Sequence, residues 1–386
     1  MRRVAVIGVG MHPYGKFPDR KPKELVATAV GAALKGASLQ WSDIQSGWCG
    51  HTSLGMTAGA RLFAPLGQTG LSITNVENAS ATGSYAFRGA YQEVALGEFD
   101  IALAVGVDML SKLGSPLGKA SKPSADASSS SGSSSSDEKP KARPPSGPMV
   151  AFAQQAQDHM QRYGTTLDQL AQVSVKQHYN ASLNPYAQFQ KEVTLEEVHG
   201  ARVVAPPLTV LHCCPFGDGA AAAVLVSEDV VRRMGIDNPV WVAASVSAST
   251  DASEPTLTDL TARTASAAYE RSGIGPDEIG MIELHDAATI EEIQYAESLG
   301  LCAEGEGGAL VERGVTALTG RTPINSSGGL LAMGHPFGPT GLGQIAEIYW
   351  QLRGEAGKRQ IPSHPTSGLA HMIGLGGTCI VHVLQR

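Results

Sequence analysis

Ser72-Ile73-Thr74-Asn75-Val76-Glu77-Asn78-Ala79-Ser80-Ala81-Thr82-Gly83-Ser84-Tyr85-Ala86 is the stretch whose reading decides the fold. It begins as a short strand with β-branched residues, passes through small and Asn residues, and enters a helix continuing through Phe87, Ala90, Tyr91 and Val94. A strand turning sharply into a helix presents its first helical residue to a cleft. There the free backbone N–H groups and the positive end of the helix dipole converge. Enzymes place a nucleophile or bind a developing oxyanion at such a point. Ser80 stands there.

Outward from this turn, strands and helices alternate as in a layered α/β fold. Val4 to Ile7 reads as a buried strand. Pro22 opens an amphipathic helix through Leu25, Val26, Ala29, Ala33 and Leu34, with Gly36 as its expected stop. A strand is expected near Gly47 to Cys49 and a short helix over Arg61 to Leu66. The continuous apolar run Phe99 to Asp108 suits a strand covered on both faces. After the helices Met149 to Tyr163 and Thr166 to Ser182, the segment 219–226 reads as another buried strand. The second half repeats the pattern: strand Val240 to Ser247, helix Thr258 to Ser272, strand Met281 to Asp286, helix Thr289 to Leu299, a helix through Ile345 and Tyr349, and a closing strand.

Between Gly114 and Pro148 the composition changes abruptly, with Ser128 to Ser131 and Ser133 to Ser136 followed by Asp137-Glu138-Lys139-Pro140-Lys141. So little apolar surface does not offset the entropy of ordering, and a flexible surface insertion is expected.

The chain of 386 residues is ample for a sizeable core, and its 45 glycines with few aromatics suit tight strand–helix turns. A net charge of −7 argues against a nucleic-acid or membrane-surface binder, but not against a local pocket for an anionic ligand. The apolar run after Met1-Arg2-Arg3 is too short for a signal-peptide core, and no run approaches membrane-spanning length. Cys49, Cys213, Cys214, Cys302 and Cys379 show no framework spacing, so reduced thiols in a cytoplasmic protein are expected. His212-Cys213-Cys214 lacks the two-residue gap of zinc knuckles, and no metal is expected.

The spelling Val76-Glu77-Asn78-Ala79-Ser80-Ala81-Thr82-Gly83-Ser84 resembles the nucleophile segment of the thiolase superfamily, in its sterol-carrier-protein-like branch. Three more segments match that family in order and spacing: Glu283-Leu284-His285-Asp286-Ala287, Gly334-His335-Pro336-Phe337-Gly338-Pro339-Thr340-Gly341, and His371-Met372-Ile373-Gly374-Leu375-Gly376-Gly377. The resemblance implies the thiolase fold: an α/β protein with two similar five-stranded halves in five αβαβα layers. The N-terminal half would cover residues 1–113 and 219–235, the insertion 114–148, a loop region over the acyl-CoA 149–218, and the C-terminal half 236–386.

By the same resemblance His335 donates to the thioester oxygen and can activate the nucleophile, while His285 fixes a water or hydrogen-bonds the same oxyanion. Gly374 and Gly376 offer backbone N–H groups that pair with that of Ser80 in an oxyanion hole, and Gly338 lets the backbone approach a ligand. Tyr295 is an acid/base candidate, with Tyr349 a weaker one.

The departures carry equal weight. The family's nucleophile is a cysteine and here is Ser80; its second, acid/base cysteine falls at Ala287 or Met372. A thiol of pKa near 8.5 is brought into working range by a helix N-terminus, whereas a hydroxyl needs a positioned base. Ordinary thiolase activity is therefore not expected. Retro-aldol cleavage of a β-hydroxyacyl-CoA passes through a thioester enolate without an acyl-enzyme. Relatives that degrade steroid side chains perform it with a small OB-fold, zinc-ribbon partner. Two other readings stay open: acyl transfer with Ser80 as nucleophile and His335 as base, and a non-catalytic CoA- or lipid-binding subunit. A homodimer is expected, with coenzyme A only as part of the substrate and no separate cofactor.

Overall fold

The computed structural model describes residues 1–112, 147–253 and 256–386. The expected insertion lies outside the described residues except for Gly147 and Pro148, which open a helix. The first half supplies β1 (Val4–Gly15), α1 (Pro22–Ala37), β2 (Ser46–Gly50), α2 (Ala58–Phe63), β3 (Ser72–Val76), α3 (Thr82–Leu96) and β4 (Ile101–Met109). A middle region follows with α4 (Gly147–Tyr163), α5 (Leu167–Ser182), α6 (Leu195–Gly200), β5 (Val203–Ala205) and β6 (Leu208–Thr209). The chain then returns through β7 (Asp218–Ser227) and α7 (Glu228–Met234). The second half comprises β8 (Val240–Ser249), α8 (Leu257–Ser272), β9 (Ile282–Glu283), α9 (Thr289–Ser298), α10 (Gly307–Glu312), α11 (Phe337–Arg353), β10 (Ser367–Gly374) and β11 (Thr378–Gln385).

Among the described residues, nine strands form one mixed sheet in the order β3-β2-β4-β7-β1-β8-β11-β10-β9. The antiparallel contact of β1 with β8, at Ala5–Trp241 and Val6–Val240, joins its two halves. The first half has the expected five strands. The second has four, and the place of a fifth beside β9 is taken by a single parallel bridge between Ile282 and Ile324. That segment turns away at once because Asn325 sits at φ +56° and uses its side chain to accept the N–H of Leu284.

Layering follows from which faces are apolar. Strands β4 and β7 are buried along their whole length, as strands covered on both faces must be. On one face of the first half, α1 and α2 pack through Leu25, Val26, Leu62 and Phe63. Between the two halves lie α3 and α11, meeting through Phe87, Ala90, Leu342 and Ile345. Outside the second half lie α8 and α9, through Leu260, Ala268 and Ala296. This is the five-layered αβαβα arrangement of the thiolase fold.

Two local expectations are corrected. Gly36 does not stop α1: the helix runs to Ala37, and Ser38 at φ +54° makes the left-handed cap. Gly36 instead faces β1, where a Cβ on Gly8 would lie 2.2 Å from the carbonyl oxygen of Ala33, so these glycines serve the close approach of α1 to β1. The strand expected over Met281 to Asp286 pairs only at Ile282 and Glu283, against Leu369 and Ala370. Beyond it the N–H of Leu284 goes to Asn325 Oδ1 at 2.7 Å, and the chain leaves the sheet carrying His285.

Candidate active site

Ser80 lies in a 3₁₀ turn, Ala79 to Ala81, between β3 and α3. The preceding Ala79 holds φ +49°, a left-handed conformation costly for a residue with a Cβ and typical of positions where geometry is dictated by function. The turn is braced from both sides: Thr82 Oγ1 accepts the N–H of Asn78 at 2.8 Å, and Glu77 accepts that of Ala79 at 2.7 Å. Behind it, α3 and α11 approach closely at glycines, since a Cβ on Gly83 would lie 2.5 Å from the Gly338 carbonyl oxygen. Both helices therefore begin at the same place, directing two N-terminal dipole ends at one cavity.

His335 enters that cavity from the loop before α11. Its Nε2 lies 2.9 Å from Ser80 Oγ, and its Nδ1 lies 3.0 Å from Thr340 Oγ1. The Thr340 hydroxyl donates its only proton to the Pro336 carbonyl at 2.6 Å, so toward His335 it accepts. Nδ1 therefore carries the imidazole proton, Nε2 holds the lone pair, and Ser80 donates to it. Burial first, and then the neighbouring His285, push the His335 pKa well below the usual histidine value. His335 is thus a neutral base facing Ser80. In this tautomer it has no N–H for a thioester oxygen, which departs from the donor role expected above. The loop is pinned from behind: Gly338 N–H donates to Asp108 Oδ2 at 2.7 Å, and Tyr14 Oη donates to the Pro339 carbonyl at 2.9 Å.

His285 faces the same cavity, its ring 5.7 Å from that of His335 and edge-on to it. Behind it stands Glu291, in the first turn of α9, which the sequence reading did not single out. Glu291 Oε2 accepts the N–H groups of Ala287 at 2.7 Å and Ala288 at 3.4 Å and lies 3.1 Å from His285 Nδ1. Its Oε1 accepts the Tyr295 hydroxyl at 3.1 Å. A signal was present in the sequence: Glu291 is the third residue of the expected helix, where an acid caps free N–H groups, six residues after a cavity histidine.

The cavity encloses about 480 Å³ and its walls are mostly apolar, among them Phe152, Phe216, Leu257, Ile373 and Leu375. Helix α4 closes one side through Met149, Ala151, Phe152 and Gln155. Ser80, His285, His335, Gly374 and Gly376 all reach it, as does Ala287 at one of the two positions where the resemblance puts a second cysteine. Met372, at the other, is buried against Ala81 and Ile380 and does not line the cavity. Gly374 abuts the Ser80 turn, where a Cβ would lie 2.6 Å from the Asn78 carbonyl oxygen, and Gly376 at φ +99° is open to the cavity.

Three expected residues are placed elsewhere. Gly338 is not positioned to bind substrate: its N–H is taken by Asp108, and a Cβ there would lie 2.7 Å from the Val107 carbonyl oxygen. Tyr295 does not line the cavity. It is buried behind Glu291 with its ring 4.7 Å from His371, and burial raises its phenol well above the ordinary range. Tyr349 is also remote, donating to the Ile7 carbonyl at 3.0 Å. His212 Nδ1 accepts the Thr209 N–H at 3.1 Å, and the nearby Thr209 hydroxyl donates to the Val198 carbonyl at 3.0 Å. Cys214 reaches the cavity wall, and burial raises its thiol pKa. Among the described residues no helix is long and apolar enough to cross a membrane.

Residues 4–229 match the family model for the thiolase N-terminal domain, and residues 243–386 match that described as thiolase C-terminal domain-like. An acetyl-CoA acetyltransferase of Methanothermobacter thermautotrophicus is 38% identical, with 100% of both chains covered. Sterol carrier protein 2 of Homo sapiens is also 38% identical, over 99% of this chain and 71% of its own. Among solved structures, the Ltp2-ChsH2(DUF35) aldolase superposes with a TM-score of 0.81 at 23% identity, covering 100% of this chain and 98% of that one.

Proposed function

The chain belongs to the thiolase superfamily, and from that membership we propose that it is an acyl-CoA-dependent carbon–carbon lyase. It cleaves a β-hydroxyacyl-CoA by retro-aldol chemistry to a ketone or aldehyde and a shorter acyl-CoA. One observation carries this reading. The cavity keeps two histidines and a carboxylate, but it presents Ser80 at the nucleophile position, with Ala287 and the buried Met372 at the second-cysteine positions. Thiolysis exchanges one thioester for another through an acyl-thiol enzyme, a nearly balanced transfer. A serine ester lies lower in free energy than the thioester it came from, so returning the acyl group to a thiol is the uphill half of a serine-based exchange. Retro-aldol cleavage needs no acyl-enzyme. It needs a base for the β-hydroxyl, donors for the enolate oxygen and an acid for the α-carbon.

In this reading the backbone N–H groups of Ser80 and Gly374 hold the enolate oxygen, helped by the dipole of α3. The mostly apolar wall suits a bulky hydrophobic acyl chain, of which a steroid side-chain thioester is one example. The fold likeness to a protein named as an aldolase supports the reading, and its second named component, ChsH2(DUF35), is a reason to test activity with a small partner. We place two copies in a homodimer, supported by the exposed edge strand β3.

A second reading is favoured by the Ser80–His335–Thr340 chain of hydrogen bonds. That chain is a hydroxyl activated by a neutral imidazole whose tautomer is fixed by a third group. It fits acyl transfer through Ser80, as the name of the acetyl-CoA acetyltransferase relative also suggests. One experiment separates the two. The protein, alone and with a candidate partner, is offered a tertiary β-hydroxyacyl-CoA, and products are identified by mass spectrometry in wild type and Ser80→Ala. Ketone release that survives Ser80→Ala supports the lyase. An acyl mass on Ser80 without ketone replaces it with the acyltransferase.

A further inference from the structure

We infer that Glu291 and His285 form a carboxylate–imidazole dyad that makes His285 the base of the cleavage step, with Glu291 as its positioning residue. The inference rests on the lyase reading for the reaction, but its geometry stands independently.

The two carboxylate oxygens of Glu291 have four neighbours. Three are donors by nature or geometry: the N–H groups of Ala287 and Ala288 on Oε2, and the Tyr295 hydroxyl on Oε1. An oxygen already accepting backbone N–H groups is an acceptor toward the fourth neighbour, so His285 Nδ1 at 3.1 Å carries the proton and donates it. The ring is thereby locked with Nε2 unprotonated, and His285 lines the cavity. Glu291 is held in place for this, because it stands in the first turn of α9 and the N–H groups it accepts, those of Ala287 and Ala288, are those of the helix entry.

The two histidines are therefore committed differently. His335 is held between Thr340 and Ser80, so its lone pair is already occupied by the Ser80 hydroxyl. His285 is held only from behind. Around it stand Glu291 on α9, His335 on the opposite loop, Asp286 beside it in sequence and Cys214 on the cavity wall. Tyr295 and His371 lie farther back, behind Glu291.

With a β-hydroxyacyl-CoA bound, His285 Nε2 takes the hydroxyl proton. The O–H electron pair becomes the second bond of the new carbonyl, the Cα–Cβ bond breaks, and its pair passes to the thioester oxygen as an enolate. The imidazolium, stabilised by the Glu291 carboxylate, then returns the same proton to Cα. No external acid, base or oxidant is needed, and both residues end as they began.

The test combines a variant-free measurement with two variants. In protein carrying ¹⁵N-labelled histidine, with the His285 signals assigned by loss in His285→Gln, the neutral ring is expected as the Nδ1–H tautomer. Glu291→Gln is expected to keep its carbonyl oxygen on the Ala287 and Ala288 N–H groups, and with it the Nδ1–H tautomer of His285, while removing the negative charge behind the ring. With a β-hydroxyacyl-CoA, the same variant is expected to lower kcat by about 10²- to 10⁴-fold with KM little changed, and to add nothing in a His285→Gln background. An Nε2–H tautomer in wild type overturns the dyad whatever the kinetics. So does a kcat loss in Glu291→Gln that persists equally in the His285→Gln background. The expected tautomer in a wild type that releases no ketone leaves the hydrogen-bonded pair standing and overturns its role as base, together with the lyase reading.

Discussion

Replacing Ser80 by cysteine tests whether the turn beneath α3 activates a nucleophile. The native thiols make the comparison sharp. Burial pushes Cys49, Cys213, Cys302 and Cys379 each up to about 12, so at pH 7.5 only about 3 in 10⁵ of each is thiolate. An unperturbed thiol, with pKa near 8.5, is about one-tenth thiolate at that pH. A helix N-terminus contributes about 0.3–2 kcal/mol, which is up to about 1.5 pKa units downward. Ser80 is itself only 9% exposed. If burial raised the introduced thiol as far as the native ones, the dipole would still bring it to about 10.5, roughly 30-fold more thiolate than they hold. His335 Nε2, 2.9 Å from the present hydroxyl, widens that margin by accepting the proton. The assay is alkylation by iodoacetamide at pH 7.5, followed peptide by peptide with mass spectrometry. Ser80→Cys is expected to be modified at position 80 at least about 30-fold faster than at the native cysteines. Modification at position 80 no faster than at Cys302 would refute the idea that this turn and His335 form an activating environment, and would weaken both functional readings at their common point.

Other outcomes follow from single contacts. Thr340→Val keeps the shape but removes the acceptor of His335 Nδ1; labelling of Ser80 by a fluorophosphonate should slow about 2- to 13-fold, the equivalent of one hydrogen bond worth 1 ± 0.5 kcal/mol. Gly338→Ala should lower stability by about 1–3 kcal/mol in urea titrations, because its Cβ would meet the Val107 carbonyl at 2.7 Å and Asp108 Oδ2 at 2.9 Å; an unchanged midpoint would restore Gly338 as a substrate-facing residue. Burial, then the Arg88 charge, lowers His382 to about 3 against an ordinary 6.5. Its depressed value means that the unfolded chain binds a proton the folded one refuses between those limits. Its contribution to stability is thus whole above pH 6.5 and lost as pH falls toward 3. Accordingly His382→Leu should flatten the acid-side decline in unfolding free energy by up to about 1.4 kcal/mol per pH unit over that window, and an unaltered slope would show that His382 titrates normally in the folded protein.

Local patterns determined a good deal before any coordinates. The apolar runs of β4 and β7 require cover on both faces, and the β-branched stretch before Ser80 followed by small residues requires a strand–turn–helix. Such features depend on neighbours in sequence, which is why they are legible there. The placement of His335, His285, Gly374 and Gly376 with Ser80 in one cavity followed from four motifs in order. What the sequence could not decide depends on distances between segments far apart in the chain. Whether Gly36 ends a helix or faces β1 depends on a contact with Gly8, and whether Gly338 offers its N–H depends on Asp108, 230 residues away. Tyr295 and Glu291 lie four residues apart on one helix, yet Glu291 lines the cavity while Tyr295 packs against His371. The same spacing is compatible with the reverse. Which nitrogen of each histidine carries its proton was likewise decided only when Thr340 and Glu291 took their places behind the rings. Hydrogen-bond direction is a property of the assembled site, because it is set by where the partner's own proton already goes.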